Sequence, residues 1–411
     1  MNSESGCLIF QTTLSFVKII LFVATCDCGF AERVIFLIFE KIMCVKLKTL
    51  LAIIAMMAAV SLSLGFVSYS PQEQPRAAES SVEIRRARIV AAGDLMQHTP
   101  QLTAALRSDG RYDYSTSFQY VAPYFQDADL AIVNLETTLS YEGPYSGYPA
   151  FCSPAAVADA LRDMDIDVVA MANNHCCDKG GRGVRATCSI LDSYGLNRVG
   201  VYCDSVDYEL NRVCYLKRCN IRFAVVNYTY DTNGIPVPKG QVVNLIDTLA
   251  IARDLATIDR NEVDCVVAVM HWGYEYQRAA HPEQQRLAAF LQRNGVDLII
   301  GSHPHVVQPV ERSVDGRLTF YSLGNFVSNQ RKRYSDGGLI AAIDVEIRDS
   351  LHNGKVVATT KSYDFELIPV WVSLPGYVVL PKSVGDTLPM NGVARSEYNL
   401  FMSDTKSLLG L

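Results

Sequence analysis

Residues 265–305 read CVVAVMHWGYEYQRAAHPEQQRLAAFLQRNGVDLIIGSHPH. Two short apolar runs, 265–270 and 296–300, flank a stretch that Pro282 opens and Arg293 closes. The runs have strand length. The stretch between them has helix length, and its proline sits at the first helical position, where a missing N–H costs least. Strand, helix and strand in sequence predict a parallel pair inside an α/β layered domain. Both strands stop at a polar cluster, His271-Trp272-Gly273 and Gly301-Ser302-His303-Pro304-His305. Sheets of this kind place ligands there, beyond the carboxyl ends of the strands.

The same grammar runs outward in both directions. Residues 87–92 predict a strand ending in Gly93-Asp94, residues 130–133 one ending in Asn134-Leu135-Glu136, and residues 167–171 one ending in Asn173-Asn174-His175. Further strands are expected over 223–227 and 319–323, the latter leading into Gly324-Asn325-Phe326. Helices are expected over 117–125, from a Ser153 cap with Pro154 at the first position to about residue 164, and within 247–256. From residue 338 the pattern turns β-rich, over 339–347 and 355–372, before a weakly patterned tail. Residues 341–411 are read as a β-rich extension of a main domain over 87–340; they either complete its sheets or form an appendage.

The chain has 411 residues and a formal net charge of −6. No Lys/Arg block suits a phosphate backbone, so nucleic acid is not an expected partner. Lys46 and Lys48 precede an apolar run over 50–67 and then a polar, proline-containing stretch. Residues 43–68 therefore read as a signal peptide or an uncleaved membrane anchor, and 69–86 as a linker. The positive flank keeps the N-terminus inside, which predicts an extracytoplasmic body, either anchored or released by cleavage. The segment starting at Met43 is a complete export signal by itself. Translation is expected to start there, leaving 1–42 as an extension of doubtful standing. Of twelve cysteines, eight lie beyond the N-terminal region without a CxxC zinc pattern, and free thiols and disulfides are equally compatible with them.

Five of the seven histidines, His98, His175, His271, His303 and His305, fall at or just after strand ends beside Asp, Asn, Gly or another His. One such histidine is ordinarily structural; five in one position of the grammar form a set. A two-metal hydrolytic centre needs carboxylates for charge, an amide oxygen, and imidazoles for borderline cations such as Mn, Zn or Fe. One bridging carboxylate holds two ions, which activate water and clamp the group being transferred. Asp94, Glu136, Asn174, His175, His271, His303 and His305 supply that inventory. His98 and Asn325 are possible lining residues, Asn325 serving equally well as a strand-end turn. Arg182 and Arg185 read first as a solvated helix face, Trp272, Tyr274 and Tyr276 as packing, and Cys176 and Cys177 as residues the site does not need.

The ordered series AAGDLMQH, NLETTLS, NNH, HWGYEY, GSHPHVVQPVE and YSLGNF, with NYTYDTNGIPVP between, resembles the CapA family of capsule and poly-γ-glutamate biosynthesis proteins over roughly residues 87–340. The resemblance implies a layered α-β-β-α sandwich related to calcineurin-like metallophosphoesterases, with two divalent ions. It implies Asp94 and His305 at the first metal, Glu136 as the bridge, and Asn174, His271 and His303 at the second. His175 would assist the leaving group. The chain departs from the wider phosphoesterase pattern where His98 stands four rather than two positions after Asp94, and where Glu136 replaces an aspartate. The function implied is a metal-dependent hydrolase acting on an anionic envelope polymer such as poly-γ-glutamate. A non-catalytic metal-binding subunit of a membrane synthesis or export complex, and a general phosphoesterase, are the alternatives.

Overall fold

Side chains alternate across a strand, and the first strand separates two cores by that rule. In β1 (Ser80–Leu95), Ile89 and Ala91 enter an inter-sheet core, while Val90 and Ala92 join a second core under helices. The computed structural model describes residues 80–410, all within the unit Ala78–Leu411. The extension 1–42, the signal or anchor 43–68 and the linker up to residue 79 lie outside the described residues. No helix among the described residues is long and apolar enough to cross a membrane.

The larger sheet has eight strands. Its parallel half contains β1, β2 (Leu130–Leu135), β5 (Val168–Ala170) and β6 (Asn197–Val199). On the other side of β1 come the antiparallel β16 (Gly337–His352), β17 (Lys355–Ser373) and β18 (Val378–Pro381), while β15 (Asn325–Val327) pairs with the end of β1. The six-stranded sheet runs β13 (Val310–Arg312), β14 (Leu318–Phe320), β12 (Leu298–Ser302), β11 (Cys265–His271), β9 (Ile221–Thr229) and β8 (Cys214–Arg218). Its inner four strands are parallel. Small two-stranded ladders join β3 (Thr138–Ser140) to β4 (Cys152–Pro154), and β7 (Val201–Tyr202) to β10 (Val242–Val243).

Ile89, Ile132 and Val168 of the larger sheet share one buried cluster with Val225, Val267 and Ile300 of the smaller. Helices Ala156–Asp163 and Gly180–Ser193 cover the outer face of the larger sheet, through Leu161 and Leu191 among others. Helices Thr248–Ala256 and Pro282–Arg293 cover that of the smaller, through Leu255 and Leu291. The order of layers is helix, sheet, sheet, helix. At the strand ends away from the polar clusters, Arg85 of β1 meets Asp264 at 3.0 Å and Asp349 at 2.8 Å, and Asp264 also takes Arg222 Nε at 3.0 Å. This nearly buried knot ties the two sheets together.

Four expectations require correction. Strand β1 starts at Ser80 because its first half pairs with β16 out to Ser80–His352, so residues 80–86 are sheet and not linker. A boundary at 340/341 would cut through β16; the C-terminal strands complete the larger sheet. Ser153 caps no helix. Its hydroxyl shares a 2.7 Å hydrogen bond with Thr137, Pro154 ends β4, and the helix begins at Ala156. The helix expected over 117–125 is two short ones, Ser115–Phe118 and Ala122–Gln126; Pro123, which has no N–H to continue a ladder, falls in the first turn of the second.

Candidate metal centre

The strand grammar delivers side chains from both sheets to one place. Asp94 is the penultimate residue of β1, Glu136 follows β2, and Asn174 and His175 follow β5, all from the larger sheet. His271 ends β11, and His303 and His305 follow β12, from the smaller. All seven are at most 4% exposed, a depth at which unpaired polar groups are costly.

Glu136 lies at the middle. Its Oε1 is 3.7 Å from His271 Nε2 and 3.8 Å from His305 Nε2, so one carboxylate oxygen faces two imidazoles. Ligand-type atoms of Asp94, Glu136 and His271 lie within 4.8 Å of one another, as do those of Glu136, His303 and His305. The resemblance pairs His303 with Asn174 and His271. Its ring centre lies 4.8 Å from that of His271 and 6.0 Å from that of His305. Asn174 Oδ1 and His271 Nε2 share a hydrogen bond of 2.8 Å.

Neither carboxylate oxygen of Glu136 nor Nδ1 of His303 has a hydrogen-bond partner among the described residues, although all three atoms are buried. Buried acceptors of this kind fit a cation. Burial, and next the charge of Asp94, push the Glu136 pKa well above the usual carboxylate range. Burial also raises Asp94, but the hydrogen bond and charge of His305, together with Asn134, outweigh it and hold Asp94 low. Burial pushes His271 well down and His303 to about 3, helped by neighbouring imidazoles. Neutral imidazoles with free nitrogens are the form that binds divalent metals.

Supporting residues fix these groups. Asn134 Nδ2 donates to Asp94 Oδ1 at 2.8 Å, and the His303 backbone N–H reaches both Asp94 oxygens at 3.3 Å. His305 Nδ1 meets Asp94 Oδ2 at 3.0 Å and Asn325 Oδ1 at 3.1 Å, which leaves Nε2 for the centre. His271 Nδ1 meets the Ser302 hydroxyl at 3.0 Å. His175 Nδ1 bonds to Asp178 at 2.8 Å, and Phe151 packs edge-on to its ring at 4.6 Å. His303 and His305 have φ of 95° and 55°, left-handed values that non-glycine residues adopt at a cost and that cluster at functional sites.

Asn325 is thus a positioning residue for His305. His98 sits at the rim, where the Gln101 side chain accepts from its backbone N–H at 2.8 Å and its ring accepts from Asn329 N–H at 3.3 Å. Burial pushes its pKa to about 4. Arg182 and Arg185 lie exposed on their helix, and Trp272 is buried with its indole N–H on Tyr321 O at 2.9 Å. All eight cysteines of the described residues are free thiols. Sequence reasoning missed Asn134, Asp178, Ser302 and Tyr230. The Tyr230 ring lies 4.4 Å from His303, and its only sequence signal was its place in NYTYDTNG. Asp178 had a possible signal in its i+3 spacing from His175.

Fold and site together define a two-sheet α/β protein with a buried His, carboxylate and amide centre suited to divalent cations. The chain belongs to the bacterial capsule synthesis protein family PGA_cap, whose model matches residues 88–330. It is 28% identical to the PGA biosynthesis protein CapA of Bacillus subtilis over 275 residues, 66% of this chain and 70% of that protein. It is also 28% identical to the capsule biosynthesis protein CapA of Bacillus anthracis over 264 residues, 60% of this chain and 61% of that protein. Among solved structures, Haemophilus influenzae NAD nucleotidase is similar at a TM-score of 0.43 and 11% identity, covering 78% of this chain and 63% of that one.

Proposed function

We propose that this chain is a metal-dependent hydrolase acting on an anionic envelope polymer of the poly-γ-glutamate type, in capsule synthesis, release or remodelling. The observation that carries the reading is the buried Glu136 carboxylate, with two unpartnered oxygens and two imidazole nitrogens within 3.8 Å of one of them. A layered sandwich with ligands at strand ends fits a metallophosphoesterase-like ancestry. The names of the Bacillus relatives support the polymer. Residues 43–68 would carry the body to the outer side of the cytoplasmic membrane, beside membrane synthase or export subunits.

Asp94 and His305 would hold one ion and Asn174, His271 and His303 the other, with Glu136 shared. When bound, such ions lower the pKa of water and neutralise charge developing on the substrate. The surrounding chain does the rest. Asn134, Ser302 and Asn325 keep the ligands oriented, and burial keeps His271 and His303 neutral. His175, its Nδ1 held by Asp178, presents Nε2 for a proton to the departing amine or alcohol.

The test compares the full chain with Glu136→Gln and His303→Ala, measuring metal content by elemental analysis and cleavage of poly-γ-glutamate and of simple phosphoesters. The expected outcome is about two ions per parent chain. Turnover should fall by roughly 10²–10³-fold in both variants with the fold retained. A folded parent chain without metal and without turnover would overturn the reading in favour of a non-catalytic subunit.

A further inference from the structure

The loop 328–336, between β15 and β16, crosses beside the centre as a strap pinned at both ends. At its start, Tyr377 OH donates to Asn329 Oδ1 at 2.7 Å. Asn325, whose Oδ1 meets His305, sends its Nδ2 to Ser335 O at 2.7 Å and Gln330 Oε1 at 3.0 Å. At its end, Arg333 grips Asp404 of helix Gly392–Leu409 through Nε at 3.0 Å and Nη2 at 2.9 Å. Tyr334 is flanked by the guanidinium groups of Arg278 and Arg333, at 4.1 and 4.9 Å from its ring centre.

Two cations sit between these pins, and neither has a carboxylate within ion-pair distance among the described residues. Lys332 Nζ rests 3.8 Å over the Tyr276 ring, whose other neighbour is His305 at 6.2 Å. Arg331 donates to Val372 O at 3.0 Å. Asp336, the acid on the strap, is occupied by the Trp371 indole N–H at 2.8 Å. Lys332 is exposed; the Arg331 residue is exposed along its stem, while its guanidinium sits partly buried against Val372 O, where burial lowers its pKa. The adjoining wall has the opposite character: a cleft of about 350 Å³ beside His303, lined by Tyr230, Tyr274 and Leu287, also carries Glu275 and Glu283.

We infer that Arg331 and Lys332 are specificity-determining residues that hold the carboxylates of a polycarboxylate chain while its backbone passes over the ligand cluster. The inference rests on the proposed polymer hydrolase and assigns its charge recognition to the strap. Arg333, committed to Asp404, anchors the strap and takes no part in recognition.

The experiment uses the full chain, metal-loaded and EDTA-treated in parallel, and follows binding of end-labelled poly-γ-glutamate by fluorescence anisotropy across a salt series. The double variant Arg331→Gln/Lys332→Gln is expected to bind about tenfold more weakly, with a shallower salt dependence. Its melting temperature and metal content should match the parent, and Lys332→Arg should retain binding. Equal affinity in the double variant, or no binding by the parent, overturns the inference. Strap-dependent binding by a protein that takes up no metal would leave the inference standing while removing the hydrolase. Phosphoester turnover by the parent with strap-independent polymer binding would do the reverse.

Discussion

Asp178 shows what a residue outside the ligand set contributes. Its Oδ2 meets His175 Nδ1 at 2.8 Å and also accepts the Phe151 N–H at 2.6 Å, so the carboxylate is itself oriented. Asp178→Asn keeps the volume but weakens control of the imidazole tautomer. Turnover on poly-γ-glutamate is expected to drop by about 10–10²-fold, while elemental analysis finds the metal content of the parent. A large loss of metal would instead make Asp178 a support of the ligands. At His303 the backbone sets a different limit. Asparagine tolerates its positive φ better than most residues, so His303→Asn should lose a ligand and keep its fold, whereas His303→Val should also lose stability, by about 1–3 kcal/mol in a urea titration. The residues of the buried cluster were legible because each stands where an apolar run stops. Asp178 and Ser302 were not, because their roles depend on which way a neighbouring imidazole turns.

At the scale of elements, β12 owes its position to a missing side chain. A Cβ on Gly301 would lie 2.0 Å from Tyr321 O and 2.7 Å from the Trp272 indole nitrogen, so β12 and the chain beyond β14 approach closely just before His303. Gly301→Ala must part them. The expected cost is about 1–3 kcal/mol of unfolding free energy, together with reduced metal binding, because the displaced loop carries two of the imidazoles. Parent-like metal affinity in a destabilised Gly301→Ala protein would separate the loop from the strand. Elements whose buried residues form long runs were legible: helix Pro282–Arg293 and strand β11 follow their apolar patterns. Helix Gly392–Leu409 was not. It buries Tyr398, Phe401, Met402 and Thr405 at helical spacing, but that stripe is only two turns long and Leu400 and Val393 on its flanks are exposed.

At the scale of the whole molecule, the two sheets are joined by a knot of charge at one end and by the ligand cluster at the other. Burial raises the Asp264 carboxyl, yet hydrogen bonds from Arg222 and Arg85 outweigh it and hold the pKa at about 2. An unfolded aspartate titrates near 3.9, so the stabilisation is fully present above about pH 4 and is lost as pH falls toward 2. Asp264→Asn should therefore lower stability at pH 7 by about 1–2 kcal/mol and bring the acid transition to higher pH, read by circular dichroism. An unchanged acid midpoint would remove the knot from the account. The parallel order within each half was legible from strand and helix alternation. How the halves meet was not, because sheet pairing across the sandwich depends on faces that the β16–β17 hairpin and the first half of β1 complete only in three dimensions. The hydrogen bond between Asp94 and His305 joins positions 211 residues apart. During synthesis, no nascent chain that has yet to expose residue 305 holds a full set of donors, however well its first strands have formed. On the proposed reading, loading with metal would be a late event in the life of the chain, and a prematurely terminated product would leave the ribosome with only half of the cluster.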